Sequence, residues 1–411
     1  MIDQNEAWKH RSLEEVLRLC AEAKRHPQEA PSRIARFLHV VLSRRPPNGN
    51  PSTPVLASWE LTAACNLRCP HCYQKAGADA CSSASLDTRQ ALQLVEQLAK
   101  LGIIQLTLTG GEPLLRHDLP EILLAIKSAR MAVILQTNAT MVDPPMADRL
   151  HSVLDPRLAM VQVSLDGATA ATHERIRGAG TFQAACDGIR QLAGKGLSVI
   201  VSCCPVRWNE EELPALYSLA GALGASAFQA TPLAPFAPSD DSLTPDQDAV
   251  LRAEAEICLR AQVPGAPRYL GGVSGEDLHW ISHASARRLL PRCSVVPDRF
   301  VCGGLRTKIH IAADGGVFPC VFAVANELSL GRVTESSLEQ IWESRAAHPF
   351  VIGRLAEASV CGKCAWAAIC RGGCPGLALV RYGSLERPDP RCRYACELEP
   401  TCQPVQREES P

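Results

Sequence analysis

The stretch Val55-Leu56-Ala57-Ser58-Trp59-Glu60-Leu61-Thr62-Ala63-Ala64-Cys65-Asn66-Leu67-Arg68-Cys69-Pro70-His71-Cys72 decides how this chain is read. Val55–Leu61 has the apolar, bulky character of a strand. The loop after it carries three thiols in the spacing Cys-x3-Cys-x2-Cys, which brings three thiolates to one point and supplies no fourth. A structural zinc takes four tetrahedral ligands, and an ordinary iron–sulfur cluster takes four cysteines. Three thiolates on a short loop therefore point to a cluster with one iron left open for a small molecule. A stray zinc loop, or buried cysteines with no ligating role, is the competing reading.

Strand-like and helix-like patterns alternate from this loop to about Leu233. The expected strands are Val55–Leu61, Ile104–Thr109, Ala132–Thr137, Ala159–Leu165, Leu197–Cys203 and Ala227–Thr231. In Leu86–Leu101, residues Ala91, Leu94, Val95, Leu98 and Leu101 share one helical face, and Gly102 ends the run. Six strand–helix alternations predict an α/β fold with a parallel sheet. The pattern does not separate an open sheet from a closed or partial barrel. Two helical patterns, about Ser12–Lys24 and Pro31–Ser43, come first and end in the linker-like Arg44-Arg45-Pro46-Pro47-Asn48-Gly49. Beyond the alternating region, Pro232, Pro235 and Pro238 break the chain, an amphipathic helix is expected around Pro245–Ala261, and Gly271–Gly275 reads as a mobile loop. The expected divisions are a helical extension (1–50), a core (51–233), a bridge (234–292), a cysteine-rich domain (293–396) and a tail (397–411).

A chain of 411 residues exceeds a single small core. Its formal net charge of −1 offers no field for a polyanion, and no basic, aromatic-interleaved stripe occurs. Nucleic acid is not an expected partner. No run of about 18 apolar residues occurs, and Met1–Glu6 lacks the start of a signal peptide. The expectation is a cytoplasmic protein with no membrane contact. Nineteen cysteines in a reducing compartment indicate metal ligation or redox chemistry rather than disulfides. Ten of them lie from Cys293 onward, where metal is expected to supply much of the stability.

Cys65, Cys69 and Cys72, with Tyr73 next to them and Thr109-Gly110-Gly111-Glu112-Pro113 ending the second strand, resemble the radical S-adenosylmethionine (SAM) superfamily. The resemblance implies a partial (β/α)6 barrel. It implies a [4Fe–4S] cluster on the three cysteines, its open iron chelated by the amino and carboxylate groups of SAM. Reductive cleavage of SAM would then give methionine and a 5′-deoxyadenosyl radical that abstracts hydrogen from a substrate. The family's GGEP segment holds the SAM amino group. Gly110 and Gly111 allow close backbone approach, and Glu112 supplies an acceptor. A plain strand-to-helix turn is the bland alternative. Gln136-Thr137-Asn138 and Ser164-Leu165-Asp166-Gly167 resemble segments lining the family's SAM pocket, so Tyr73, Asn138 and Ser164 are candidate cofactor contacts. Asp166 reads equally as a turn-forming Asp-Gly. Either Arg175 or Arg177 is a candidate partner for the SAM carboxylate, against surface pairing on a helix.

Cys302, Gly315 and Cys320, then Cys361-x2-Cys364-x5-Cys370-x3-Cys374, then Cys392, resemble the SPASM extension of radical SAM enzymes. That resemblance implies two auxiliary [4Fe–4S] clusters, three clusters in all. Cys302, Cys320 and Cys374, with Cys293 as fourth ligand, would hold the first. Cys361, Cys364, Cys370 and Cys392 would hold the second. A pair of structural zincs is the alternative for this region. Cys396 and Cys402 are spare. Cys203 and Cys204 read as buried packing residues, and Cys20, Cys81, Cys186 and Cys258 as incidental. In the sulfatase-maturing branch an Asp follows the second auxiliary-domain Cys, whereas here Cys320 is followed by Val321-Phe322.

The substrate class expected from the resemblance is a ribosomally synthesised peptide, matured by cross-linking. Residues 1–50 are too short and too helical for a leader-binding module, so a separate peptide-binding chaperone is expected, with an electron donor such as flavodoxin or ferredoxin. A small-molecule substrate is the second expectation, in tetrapyrrole or other cofactor biosynthesis. A multi-cluster electron carrier is the non-enzymatic alternative, and it leaves the open iron and GGEP unexplained.

Overall fold

Each expected strand forms. β1 (Leu56–Glu60), β2 (Gln105–Thr109), β3 (Ala132–Thr137), β4 (Ala159–Ser164), β5 (Ser198–Cys203) and β6 (Ala227–Ala230) pair in parallel in chain order. This computed structural model describes residues 53–74, 85–231, 233, 242–270, 302–352, 360–363, 372–390 and 392. The helical patterns before residue 50, the loop at 271–275, and Cys20, Cys81, Cys293, Cys364, Cys370, Cys396 and Cys402 lie outside them.

Helices α1 (Thr88–Leu101), α2 (Leu119–Ser128), α3 (Pro144–Val153), α4 (Ala170–Arg177), α5 (Thr181–Gly194) and α6 (Leu213–Ala222) fill the crossovers. α1 begins in a capping box between Asp87 and Gln90, buries Ala91, Leu94, Val95, Leu98 and Leu101, and stops at left-handed Gly102 (φ 88°). The helix expected near Pro245–Ala261 spans Gln247–Arg260 (α7), N-capped by Asp246.

The sheet extends past the six expected strands at both edges. β7 (Arg268–Tyr269) adds in parallel to β6, and β8 (Lys308–Ile311) adds in parallel to β1. β9 (Gly316–Phe318) and β10 (Gly331–Arg332) continue antiparallel from β8. Among the described residues the strand order β10-β9-β8-β1-β2-β3-β4-β5-β6-β7 ends without closing, as a partial barrel does.

Period-2 alternation sorts each strand between two environments. Trp59, Leu106, Leu108, Leu135, Val161, Val163, Val199 and Val201 are fully buried in the main core, which packs against the helices. The other face turns inward. Met160, Ile200 and Ala227, with Ile134 against them, form a separate apolar cluster. Beyond it the inward positions become polar, and Ser58, Thr107, Gln136, Gln162, Ser202 and Thr231 line a cavity. Since that cavity rests on a tightly packed outer layer, Leu106→Ala should destabilise the chain by about 3 kcal/mol, read from the midpoint of chemical denaturation.

Candidate active site

Ligand sites of parallel α/β sheets form at the carboxyl ends of the strands, where successive loops converge. Here the loops after β1 and β2 are bound directly together. Leu61 N–H donates to Thr109 O (2.9 Å), Gly111 N–H to Thr62 O (2.7 Å) and Glu112 N–H to Ala64 O (2.8 Å). A Cβ on Gly110 would stand 2.4 Å from Thr62 O, and one on Gly111 would stand 1.9 Å from Ala64 O. Gly110 also takes φ 125°, so glycine is required on both counts. Arg116 adds a second tie. It grips Asp118 through two nitrogens (2.7 and 2.9 Å) and donates to the carbonyls of Leu61 and Leu86. These contacts fix the base of the cysteine loop.

The loop's tip is held from β3. Asn138 Nδ2 donates to Asn66 Oδ1 (2.8 Å), and Asn66 Nδ2 donates to Thr140 Oγ1 (2.9 Å). Glu112 is buried beneath this pair. Its Oε1 accepts from Thr137 Oγ1 (2.7 Å) and Leu114 N–H (3.0 Å), and its Oε2 accepts from Asn138 N–H (2.8 Å). Expected as an acceptor for an ammonium, Glu112 uses three acceptor positions on Leu114 within its own loop and on Thr137 and Asn138 after β3. Burial raises its carboxyl above the usual carboxylate range, opposed by those hydrogen bonds.

Cys65, Cys69 and Cys72 open onto one cavity of about 390 Å³, together with Tyr73, Gly110, Gly111, Glu112, Asn138, Ser164 and Arg177. Burial pushes the Cys69 thiol up to about 11, with Arg177 opposing, while Asp166 and the other two cysteines push further upward. Cys65 is raised for related reasons, burial first. Cys65 and Cys69, which resist ionising beside a third thiol, fit a cationic iron–sulfur core, which would supply the compensating charge. Among the described residues, no three His, Cys, Asp or Glu side chains close around a point as one metal ion would require. A four-iron cluster takes its thiolates at wider separation.

Asp166 anchors the opposite wall. Fully buried, its Oδ2 pairs with Arg177 Nε (2.5 Å) and faces His71 Nε2 (3.4 Å), and its Oδ1 accepts from Cys204 N–H (2.8 Å). Asn209 Nδ2 donates to its carbonyl, and its own N–H donates to His173 Nδ1. Burial alone would raise this carboxyl, but Arg177 and then His71 hold it below the usual carboxylate range. The Asp-Gly turn reading understates this residue. Geometry places the two candidate arginines differently. Arg177 reaches within 4.0 Å of Cys69 Sγ, whereas Arg175 lies outside the cavity, stacked 4.1 Å over Trp208. Arg175 is therefore corrected to a surface packing residue. Cys203 is buried as expected, but Cys204 lines the cavity, because β5 turns its next position inward.

The cavity is closed from the C-terminal part of the chain by Lys308, Val321 and Phe322, and the Phe322 ring meets Tyr73 edge-on at 6.1 Å. Cys302, Cys320 and Cys374 come together behind this wall. Burial, then the neighbouring Cys302 and Cys374, pushes the Cys320 thiol up to about 12. A Cβ on Gly376 would stand 3.2 Å from Cys320 Sγ, so the glycine keeps that sulfur's surroundings open. Buried Asp389 links Cys374 to Cys392: its Oδ2 accepts from Cys374 N–H (2.8 Å) and its carbonyl from Cys392 N–H (2.9 Å). Cys361 is buried on a short helical turn. Asn66, Arg116 and Asp389 escaped the sequence reading because each acts through partners distant in the chain, side chains for Asn66 and backbone groups for Arg116 and Asp389.

Residues 59–220 match the family model for the radical SAM superfamily, and residues 302–365 match that for an iron–sulfur cluster-binding domain, SPASM. The mycofactocin maturase MftC of Mycobacterium ulcerans is 30% identical over 345 residues, covering 82% of this chain and 88% of that protein. The AdoMet-dependent heme synthase of Methanosarcina barkeri is 29% identical over 358 residues, covering 84% of this chain and 97% of that protein. The crystal structure of Streptococcus suis SuiB bound to its precursor peptide SuiA shares the fold. Its TM-score is 0.67 at 16% identity, covering 89% of this chain and 82% of that one.

Because Asp166 titrates below its unfolded value, the stability it contributes is complete above the ordinary carboxylate range. That stability is lost as pH falls through the lowered folded value. Asp166→Asn should cost about 3–5 kcal/mol near neutrality by stranding Arg177. It should also flatten the acid limb of the stability–pH profile, measured by denaturant unfolding.

Proposed function

Since this chain belongs to the radical SAM superfamily and carries a SPASM domain, we propose that it matures a ribosomally synthesised peptide by SAM-dependent hydrogen abstraction. It is an enzyme that binds [4Fe–4S] clusters and SAM. The observation that carries the peptide reading is the cavity's second wall. Val321 and Phe322 face the cysteine loop across the cavity, a wall supplied by the same cysteine-rich part of the chain that the similarity to the mycofactocin maturase spans.

The proposed ligands of the SAM-binding cluster are Cys65, Cys69 and Cys72. Cys302, Cys320 and Cys374, with Cys293, are proposed for one auxiliary cluster, and Cys361, Cys364, Cys370 and Cys392 for the other. When bound, the reduced cluster and SAM supply a 5′-deoxyadenosyl radical. The chain's own residues do the positioning. Asn66 and Asn138 hold the cysteine loop, Arg177 sets a buried positive charge beside Cys69, and the Tyr73–Phe322 contact shields the reacting volume from water. Glu112, Asn138 and Ser164 are proposed to border SAM. An electron donor such as flavodoxin or ferredoxin and a separate peptide-binding chaperone are the proposed partners.

A tetrapyrrole substrate is the second reading. It is favoured by the match to the M. barkeri heme synthase over 97% of that protein's length. Peptides encoded beside the gene should stimulate 5′-deoxyadenosine formation from SAM and gain a mass shift, whereas stimulation by iron-coproporphyrin alone would transfer the function to tetrapyrroles. Loaded protein should hold about twelve irons. Cys69→Ala should abolish SAM cleavage while retaining about eight of them; loss of all iron would contradict the proposed separation of the sites.

A further inference from the structure

Strands β1 and β8 pair so that Ser58 stands opposite His310. Ser58 Oγ lies 2.9 Å from His310 Nδ1, and His310 Nε2 lies 3.1 Å from Glu60 Oε1. His310 is fully buried, Ser58 is buried but lines the cavity, and the Glu60 side chain keeps 15% of its surface exposed. Hydroxyl, imidazole and carboxylate thus stand in the order of a serine–histidine–acid triad, running from the cavity floor toward solvent.

The hydrogen-bond directions follow from chemistry. A carboxylate at Glu60 can only accept, so a neutral His310 carries its proton on Nε2 and leaves Nδ1 as an acceptor. Ser58 must then donate its hydroxyl hydrogen to Nδ1, which leaves its lone pairs for the cavity. The floor hydroxyl of Ser202, by contrast, faces that of Thr231 (3.3 Å). Joining two strands does not require such groups. Met160 and Ile200 fill the same barrel interior with apolar side chains, and burying an imidazole against a carboxylate carries a desolvation cost that apolar packing avoids.

We propose that Ser58, His310 and Glu60 form a proton relay that takes up the proton released when substrate is oxidised in this cavity. The proposal rests on the SAM-dependent hydrogen abstraction proposed above, taken on to net oxidation of the substrate. Two hydrogens leave the substrate. One goes as an atom to the 5′-deoxyadenosyl radical, giving 5′-deoxyadenosine. The other goes as a proton, its electron passing to the iron–sulfur clusters as one-electron acceptor. The departing proton bonds to Ser58 Oγ as the Ser58 O–H bond breaks toward His310 Nδ1. The His310 Nε2–H bond breaks in turn toward Glu60 Oε1, and Glu60 releases the proton at its exposed edge. Ser58 meets the substrate, and His310 and Glu60 act through it. The other titratable groups facing the relay are Lys308, which lies on β8 and lines the cavity, and Tyr73, whose phenol is raised by burial and then by the Glu60 charge. From β9, His310 faces the apolar Phe318.

Two measurements decide the proposal. Histidine-labelled NMR of the full-length, cluster-loaded protein in its oxidised, SAM-free state, assigned with His310→Gln, should show the Nε2–H tautomer of His310. Glu60→Met, which removes the acceptor, should shift that tautomer toward Nδ1–H, and an Nδ1–H tautomer in the unmodified protein overturns the relay. With a peptide or tetrapyrrole that the enzyme turns over, Ser58→Ala and His310→Gln should each lower product formed per 5′-deoxyadenosine by at least about tenfold. Ser58→Thr, which keeps the hydroxyl, should restore most of that ratio. A ratio unchanged in Ser58→Ala and His310→Gln overturns the relay. If no candidate substrate is turned over at all, the oxidation reading fails, and the tautomer measurement still judges the relay.

Discussion

The backbone approach of the loop after β2 to the loop after β1 is the constraint on which the rest of the site depends. Gly111 and Glu112 donate to the carbonyls of Thr62 and Ala64, at a separation no side chain on Gly110 or Gly111 would permit. That contact sets where the polypeptide leaves the sheet, and Cys65 follows within one residue of Ala64. Glu112 carries the same alignment to β3 by accepting from Thr137 and Asn138, and Asn138 passes it on to Asn66 inside the cysteine loop. The three thiols are thereby positioned by the ends of three strands rather than by their own short loop, which alone has little means of holding a shape.

Charge is handled by enclosure. Asp166 is fully buried, yet it is surrounded by Arg177, His71 and the Cys204 N–H, so its ionised form is favoured despite desolvation. Arg177 then presents a fixed positive charge to Cys69 without a conformational change. His173, which accepts from Asp166 N–H through Nδ1, is held neutral: burial and then Arg177 bring its imidazole down to about 4. The wall is therefore preorganised, its charges paired before any ligand arrives.

The barrel and the cysteine-rich part share one sheet through the β1–β8 ladder, so the groups on β8 enter the barrel interior directly. Lys308 and the Ser58–His310–Glu60 series reach the cavity from this seam, and Phe322 reaches it from the loop after β9. The cysteine loop on one side and Val321 and Phe322 on the other thus meet across a single cavity, with the proposed relay lying along the seam between β1 and β8.

Residue types and spacing alone determined the six parallel strands, the buried face of α1, its glycine stop, and the two cysteine groups, because each is written in local periodicity or in short-range spacing. Other features depended on the folded chain. The Arg175–Arg177 choice turns on two positions of one short helix, and only the packing of α4 against Asp166 and Trp208 separates them. The roles of Asn66, Arg116, Asp389 and His310 each require a partner brought near by folding, as in the 252-residue span from Ser58 to His310. Inward polar residues such as Thr107, Gln136 and Gln162 carried a legible signal, since polar side chains recurring in otherwise apolar parallel strands mark a lined interior. What sequence could not provide was the register between β1 and β8, because parallel pairing of distant strands leaves no local trace and only the folded sheet decides which side chains face each other.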